Sequence, residues 1–206
     1  MAGSRGALIG RPRGFDVDEA LEQALRVFWE KGYEGSSLGD LTSAMGITKP
    51  SMYAAFGNKE QLFRRALQRY GEGPAAYATR ALDEPTARAV AEAFLRGAVD
   101  TTTRPDRPHG CLTVQGALPD SDAGRPAHDL LVAWRNEACG HLEQRFQRAV
   151  DEGDLPRDAD PGQLARYVMT VGNGIAVQAA GGASHDDLED VVDIALRSWQ
   201  PSPTSR

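Results

Sequence analysis

The chain has 206 residues, 41% hydrophobic and 25% charged, enough for one or two globular domains with an adequate core. No apolar run reaches the roughly 20 residues that cross a bilayer, and the opening "MAGSRGALIGRPRG" lacks a sustained apolar segment for export, so a cytoplasmic protein without a membrane partner is expected. A net charge of −6 would argue against a nucleic-acid partner if it were evenly spread, but residues 1–70 hold 10 Lys+Arg against 8 Asp+Glu, net +2, while residues 71–206 hold 13 against 21, net −8.

The first segment, residues 1–14, is rich in glycine and arginine, has no apolar periodicity and reads as a flexible basic arm; Arg5, Arg11 and Arg13 stand there without an acid. Asp16 with Glu19 then makes a capping-box-like start, and Val17, Leu21, Ala24, Leu25 and Phe28 recur at helical spacing until Gly32. Ser37 can cap a second helix with Leu38, Leu41 and Met45 on one face and Gly46 as its stop. Thr48 can cap a third, where Pro50 is tolerated because first-turn amides have no intrahelical partner. Asn58 with Gln61 opens a fourth, carrying Leu62, Phe63 and Leu67.

Longer helices are expected beyond Tyr70. One runs from Pro85 to about Thr102, with Val90, Phe94, Leu95 and Ala98 inward. A proline- and glycine-bounded stretch, Arg104 to Arg125, holds only a short helix near Cys111 to Leu118. Arg125 to Glu152 reads as a long helix, with Leu130, Leu131, Trp134, Ala138, Leu142 and Phe146 in period, and Leu164 to Ala180 and Leu188 to Trp199 as a last pair. No segment alternates as a strand does, so the fold class is all-α. The resulting division is arm 1–14, head 15–70, body 71–200 and tail 201–206.

The functional signal lies in "ITKPSMYAAFGNKEQLF", Ile47 to Phe63. An eight-residue helix cannot stand alone in water, so the helix beginning near Lys49 must be held from behind. Met52 and Phe56, four apart, share one face and supply that back, which leaves Thr48, Lys49, Ser51 and Tyr53 pointing elsewhere. Helix, Gly46–Ile47 turn, helix is the spacing of a helix-turn-helix, whose second helix enters a major groove. The first turn of that helix also offers free amides to a phosphate.

Residues 15–70 resemble the DNA-binding domain of the TetR family of transcriptional regulators, on the strength of "ALRVFWEKGYEGSSLGDLTSAMGITKPSMYAAFGNKEQLF". The resemblance implies an all-α homodimer with an N-terminal three-helix helix-turn-helix domain, a linking fourth helix, and a C-terminal helical ligand-binding and dimerisation domain. It implies a double-stranded, palindromic DNA operator as partner, and a repressor released by a small-molecule effector. By position it carries DNA contacts to Ser37, Thr48, Lys49, Ser51, Tyr53 and Lys59. Ala54 and Ala55 depart from the family pattern and receive no phosphate contact. The arm's Arg11 and Arg13 are expected in a minor groove.

In the body, "GCLTVQGAL" resembles a segment that some family members place near the effector cavity. Phe94, Cys111, Gln115, Trp134, Cys139 and Asn173 are the expected ligand-binding residues, because such sites combine apolar walls with a few polar groups. Leu188, Val191, Val192, Ala195, Leu196 and Trp199 form a clean apolar stripe, joined by Leu164, Val168, Val171 and Ile175. Such stripes ordinarily form internal core; position and resemblance favour an intersubunit four-helix contact here.

Other chemistries find little support. There is no Gly-rich phosphate loop, His-Glu-x-x-His or nucleophile elbow, so neither an enzyme nor a cofactor is expected. The groups His109-Gly-Cys111 and Cys139-Gly-His141 suggest a metal site, but helical residues two apart sit about 200° around the axis, so Cys139 and His141 do not face one ion and no metal is expected. The rival reading is a helical protein-interaction module with non-specific DNA affinity.

Overall fold

The computed structural model describes residues 14–115, 124–197 and 199, and these form helices without a strand among them. The helices are α1 (Val17–Gly35), α2 (Leu38–Ala44), α3 (Lys49–Phe56), α4 (Lys59–Glu72), α5 (Ala76–Ala81), α6 (Ala87–Thr102), α7 (Leu112–Gln115), α8 (Arg125–Glu152), α9 (Pro161–Ala180) and α10 (His185–Arg197). Arg11, Arg13, the end of the expected short helix after Gln115, and the tail lie outside the described residues.

Local signals start each helix of the head. The Asp16 carboxylate accepts from the Asp18 and Glu19 amides at 2.8 and 3.1 Å. Ser37 and Asp40 close a capping box on α2, and Asn58 and Gln61 close another on α4. Gly32, at φ +68°, breaks the helical path inside α1, and Gly46, at φ +64°, makes the turn between α2 and α3. Only glycine enters that backbone region without strain.

Two apolar cores divide the molecule. The head core gathers Leu25, Phe28, Leu41, Met52, Phe56 and Phe63 from α1 to α4. It also takes in Leu112 of α7 and Ala127 and Leu131 of α8, so the start of the long helix is sealed onto the head. The body core packs α6, α8, α9 and α10 through Val90, Leu95, Leu142, Phe146, Val168 and Val192.

Seven residues of the expected dimer stripe turn inward in this packing. Val168, Ile175, Leu188, Val192, Ala195, Leu196 and Trp199 are buried within the monomer, and Leu164 and Val171 pack half-buried against the same core. The reason is that α9 packs on both α6 and α8, α10 lies on α6, and Trp199 meets Phe146 of α8, so these helices absorb the apolar faces. Of the ten residues only Val191 is exposed; it shares the outer surface of α9 and α10 with Tyr167, Val177 and Ile194.

A further difference is α5, which was not expected. Thr101 Oγ1 donates to the Pro74 carbonyl at 3.2 Å, and the Tyr77 ring meets Phe94 edge-on at 5.7 Å, so tertiary contacts hold this six-residue helix.

Candidate nucleic-acid interface and cavity

The α3 helix is clamped from behind and at both ends. Met52 and Phe56 are 0% and 3% exposed in the head core. At its start the Thr48 hydroxyl accepts from the Ser51 amide at 3.3 Å. At its end Arg65 of α4 lies 4.7 Å over the Phe56 ring and donates to the Ala55 carbonyl at 3.0 Å. A cation on the last carbonyls also opposes the helix dipole favourably.

What the clamp leaves outward is polar and unencumbered. Thr48, Lys49, Pro50, Tyr53 and Ala54 are exposed and Ser51 is half-buried, with Tyr53 at 49%. A shallow groove of about 660 Å³ runs beside them, along Phe15, Thr42, Ser43, Thr48, Ser51 and Ala54. Ser37 is exposed at the start of α2, its hydroxyl donating to Asp40 at 2.6 Å. Lys59 is half-buried with its ammonium 4.4 Å above the Tyr33 ring; burial holds it below the ordinary lysine value, against a smaller opposing pull from Glu34.

A cavity lies directly below the head. Its outer part, about 500 Å³, is bounded by α4, α5, α6 and α8, with Ala78, Phe94, Trp134 and Leu142 as apolar wall and Glu72, Glu137, His141 and Arg80 at the mouth. An inner chamber of about 50 Å³ shares Ala75, Ala78, Phe94, Trp134 and Ala138 with it and continues to Tyr70, Tyr77, Cys111, Thr113, Arg135, Met169 and Asn173. Of the residues expected at a ligand, Phe94, Cys111, Trp134 and Asn173 meet in this chamber. Gln115 and Cys139 do not. Gln115 is exposed and donates to the His109 carbonyl at 3.2 Å, and Cys139 follows Ala138 by about 100° of helix rotation, which turns it onto the body core.

Arg135, Tyr70, Tyr77 and Thr113 were missed. Arg135 stands beside Trp134 in a charged stretch that reads as a solvated face, and only the tertiary packing of α8 against α7 turns it inward.

The chamber touches the head at two points. The buried Tyr70 hydroxyl, on the last turns of α4, donates to the Cys111 thiol at 3.2 Å, and burial, then the neighbouring Cys111, pushes that phenol well above its ordinary pKa. The Trp134 ring lies so close to α4 that a Cβ at Gly71 would come within 2.2 Å of it. One residue before Cys111, the Gly110 carbonyl accepts from the buried Trp29 indole of α1 at 3.0 Å.

Among the described residues no three His, Cys, Asp or Glu side chains gather as metal ligands, and no helix is long and apolar enough to cross a membrane.

A three-helix head that presents the second helix of a helix-turn-helix, joined by a linking helix to a helical body with its own cavity, defines a one-chain DNA-binding regulator. Residues 20–66 match the family described as "Bacterial regulatory proteins, tetR family", and residues 85–200 match "Tetracyclin repressor-like, C-terminal domain". The chain is similar to the HTH-type transcriptional repressor ComR of Escherichia coli, 33% identical over 193 residues that cover 92% of this chain and 91% of ComR. It is also similar to the HTH-type transcriptional repressor AcnR of Corynebacterium efficiens, 30% identical over 87% of this chain and 90% of AcnR. Among solved structures it resembles a cysteine mutant of the TetR family regulator CifR in complex with a 26 bp double-strand operator. That match has a TM-score of 0.89 and 43% identity, over 92% of this chain and all of the CifR chain. The chain belongs to the TetR family and is a DNA-binding transcriptional regulator.

Proposed function

We propose that the protein is a cytoplasmic, homodimeric repressor that leaves a palindromic operator when a small molecule enters the cavity under its head. The observation that carries this reading is the division of α3: Met52 and Phe56 buried, and Lys49 and Tyr53 exposed on the other side. Residues 15–70 act as the reading head and residues 71–200 as the effector-binding and dimerisation unit. Lys49, Ser51 and Tyr53 meet base edges and nearby backbone in the major groove. Ser37, Thr48 and Lys59 hold phosphates.

Two heads must sit about 34 to 36 Å apart to occupy successive major grooves. The outward face of α9 and α10, with Tyr167, Val177, Val191 and Ile194, supplies the second copy's contact. Because Tyr70 and Gly71 of α4 lie against the chamber, a ligand that displaces Cys111 or Trp134 shifts α4 and with it the spacing of the two heads. Such a ligand works by preferring one spacing over the other, with no chemistry. The reading as an interaction module with only non-specific DNA affinity is not favoured, since ComR and AcnR are both named repressors.

The experiment is selection of bound duplexes from a random pool, followed by gel shift of the winner at fixed salt against a scrambled duplex. A preferred inverted repeat bound about a thousandfold or more above scrambled DNA is expected. Equal affinity for both would refute the reading.

A further inference from the structure

We propose that the effector is a small organic monoanion, an acid with an apolar body, whose carboxylate is received by Arg135 in the inner chamber. The inference rests on the regulator reading above and adds the ligand's chemical class to it.

The inner chamber's lining contains one cation and no Asp or Glu, in a chain whose net charge is −6. Arg135 Nη1 donates to the Thr113 carbonyl, and no carboxylate pairs with the guanidinium among the described residues. Arg69 meets Asp18 and Glu22, and Arg96 meets Glu92, Glu189 and Asp193, whereas Arg65, Arg88 and Arg145 donate to backbone carbonyls as Arg135 does; of these four, Arg135 is the one that lines the inner chamber. Of the five N–H donors of a guanidinium, Arg135 therefore commits one to the protein. Burial lowers its proton affinity, with only the neighbouring Cys111 pulling the other way, as expected of a partly desolvated cation that lacks a counter-ion.

Two more donors line the same space. The Tyr77 hydroxyl and the Asn173 amide make no hydrogen bond to another described residue, and burial of Tyr77, with a smaller effect from Cys111, keeps its phenol protonated. Three donor groups around about 50 Å³ suit a planar carboxylate, which accepts bidentate bonds from a guanidinium. The rest of such a ligand must pass Phe94 and Trp134 into the outer space of about 500 Å³, whose wall is apolar. At that mouth the two acids Glu72 and Glu137 outnumber the one permanent cation, Arg80, beside His141, which favours a monoanion over a dianion.

The site is also wired to the head. Arg135 Nη1 holds the Thr113 carbonyl, so a carboxylate that re-aims the guanidinium through its free donors pulls on Thr113. Thr113 follows Leu112, which is buried in the head core, and Cys111, which holds the Tyr70 hydroxyl.

The test is calorimetry of the full chain at neutral pH with phenylacetate, 3-phenylpropionate and 4-phenylbutyrate, each beside its amide and the matching amine. The acids are expected to bind about tenfold more tightly than their amides, the amines least, because the acid gains a charge-assisted bidentate pair. Arg135→Met should abolish the preference for acid over amide and Arg135→Lys should keep part of it. Should Arg135→Met not fold, Tyr77→Phe is expected to weaken the acid about threefold more than the amide. The proposal is overturned if no acid of the series binds, if amide or amine equals the acid, or if the preference survives Arg135→Met, or Tyr77→Phe in its place. Gel shift of ligand-free protein on the selected operator separates the two claims: loss of specific DNA binding there counts against the regulator reading, whereas absent acid preference with intact DNA binding removes only the ligand class.

Discussion

Met52 and Tyr53 are adjacent in α3, and their alanine variants should fail in opposite ways. Met52 is fully buried in the head core, and truncating such a side chain removes transfer energy and leaves a cavity, together about 2 to 5 kcal/mol. Tyr53 is 49% exposed and its hydroxyl makes no hydrogen bond to another described residue, so its truncation should change folding by less than about 0.5 kcal/mol. On DNA the order reverses. A phenol hydroxyl on a phosphate or base contributes about 1.5 kcal/mol, and a dimer loses two copies, about 3 kcal/mol or roughly 150-fold in operator affinity. Thermal melts of both variants and a gel shift at constant salt measure the two quantities. Tyr53→Ala should melt with the wild type, remain dimeric and lose the operator, while Met52→Ala should melt markedly earlier. A Tyr53→Ala protein within about twofold of wild-type operator affinity would show that the outward side of α3 does not face base pairs.

Three further outcomes follow from the packing. Ile194→Asp, at a position 59% exposed, should convert dimer to monomer in sedimentation velocity without lowering the monomer's helical content; a dimer that persists would place the second copy elsewhere. Trp29→Phe leaves the Gly110 carbonyl without its buried indole donor, and chemical denaturation should register a loss of about 1 to 3 kcal/mol. The Asp40 carboxyl is held well below its ordinary value of 3.8 by the Lys31 ammonium first and then by Ser37. A depressed carboxyl stabilises the fold above its unfolded value and loses that contribution as pH falls through the folded one. Melting temperature should therefore fall more steeply with acid in the wild type than in Asp40→Asn, and parallel profiles would remove Asp40 from the account.

The head was legible because its instructions are local. Asp16, Ser37, Thr48 and Asn58 each cap the helix that follows, and Gly46 takes the positive φ that a tight turn needs, all within four residues of the element they control. The body was not, because its decisive facts are long-range. Periodicity correctly grouped Leu188, Val192, Ala195 and Leu196 on one face, but it cannot say whether that face meets α6 of the same chain or a second copy, and α6 is what it meets. Val191 was grouped with the inward stripe, and Tyr167 and Ile194 of the outward face escaped notice because each follows a charged residue, Arg166 and Asp193, which dilutes the pattern. Arg135 was hidden because only the packing of α8 against α7 turns it inward.

The one segment where local and long-range information converge is 110–113. Gly110, at φ +82°, gives its carbonyl to Trp29 of α1; Cys111 receives the Tyr70 hydroxyl of α4; Leu112 is buried in the head core; Thr113 gives its carbonyl to Arg135 of α8. Four consecutive residues thus contact two helices of the head and the polar end of the cavity. A side chain added at Gly110 would collide with Gln115 and with Ala180 of α9, at 2.6 and 2.9 Å, so the close approach of the segment to α9 requires glycine there. On the proposed reading, a ligand that moves Thr113 is expected to disturb the seats of Trp29 and Tyr70 as well, which gives a chamber of about 50 Å³ a route to α1 and α4 of the head.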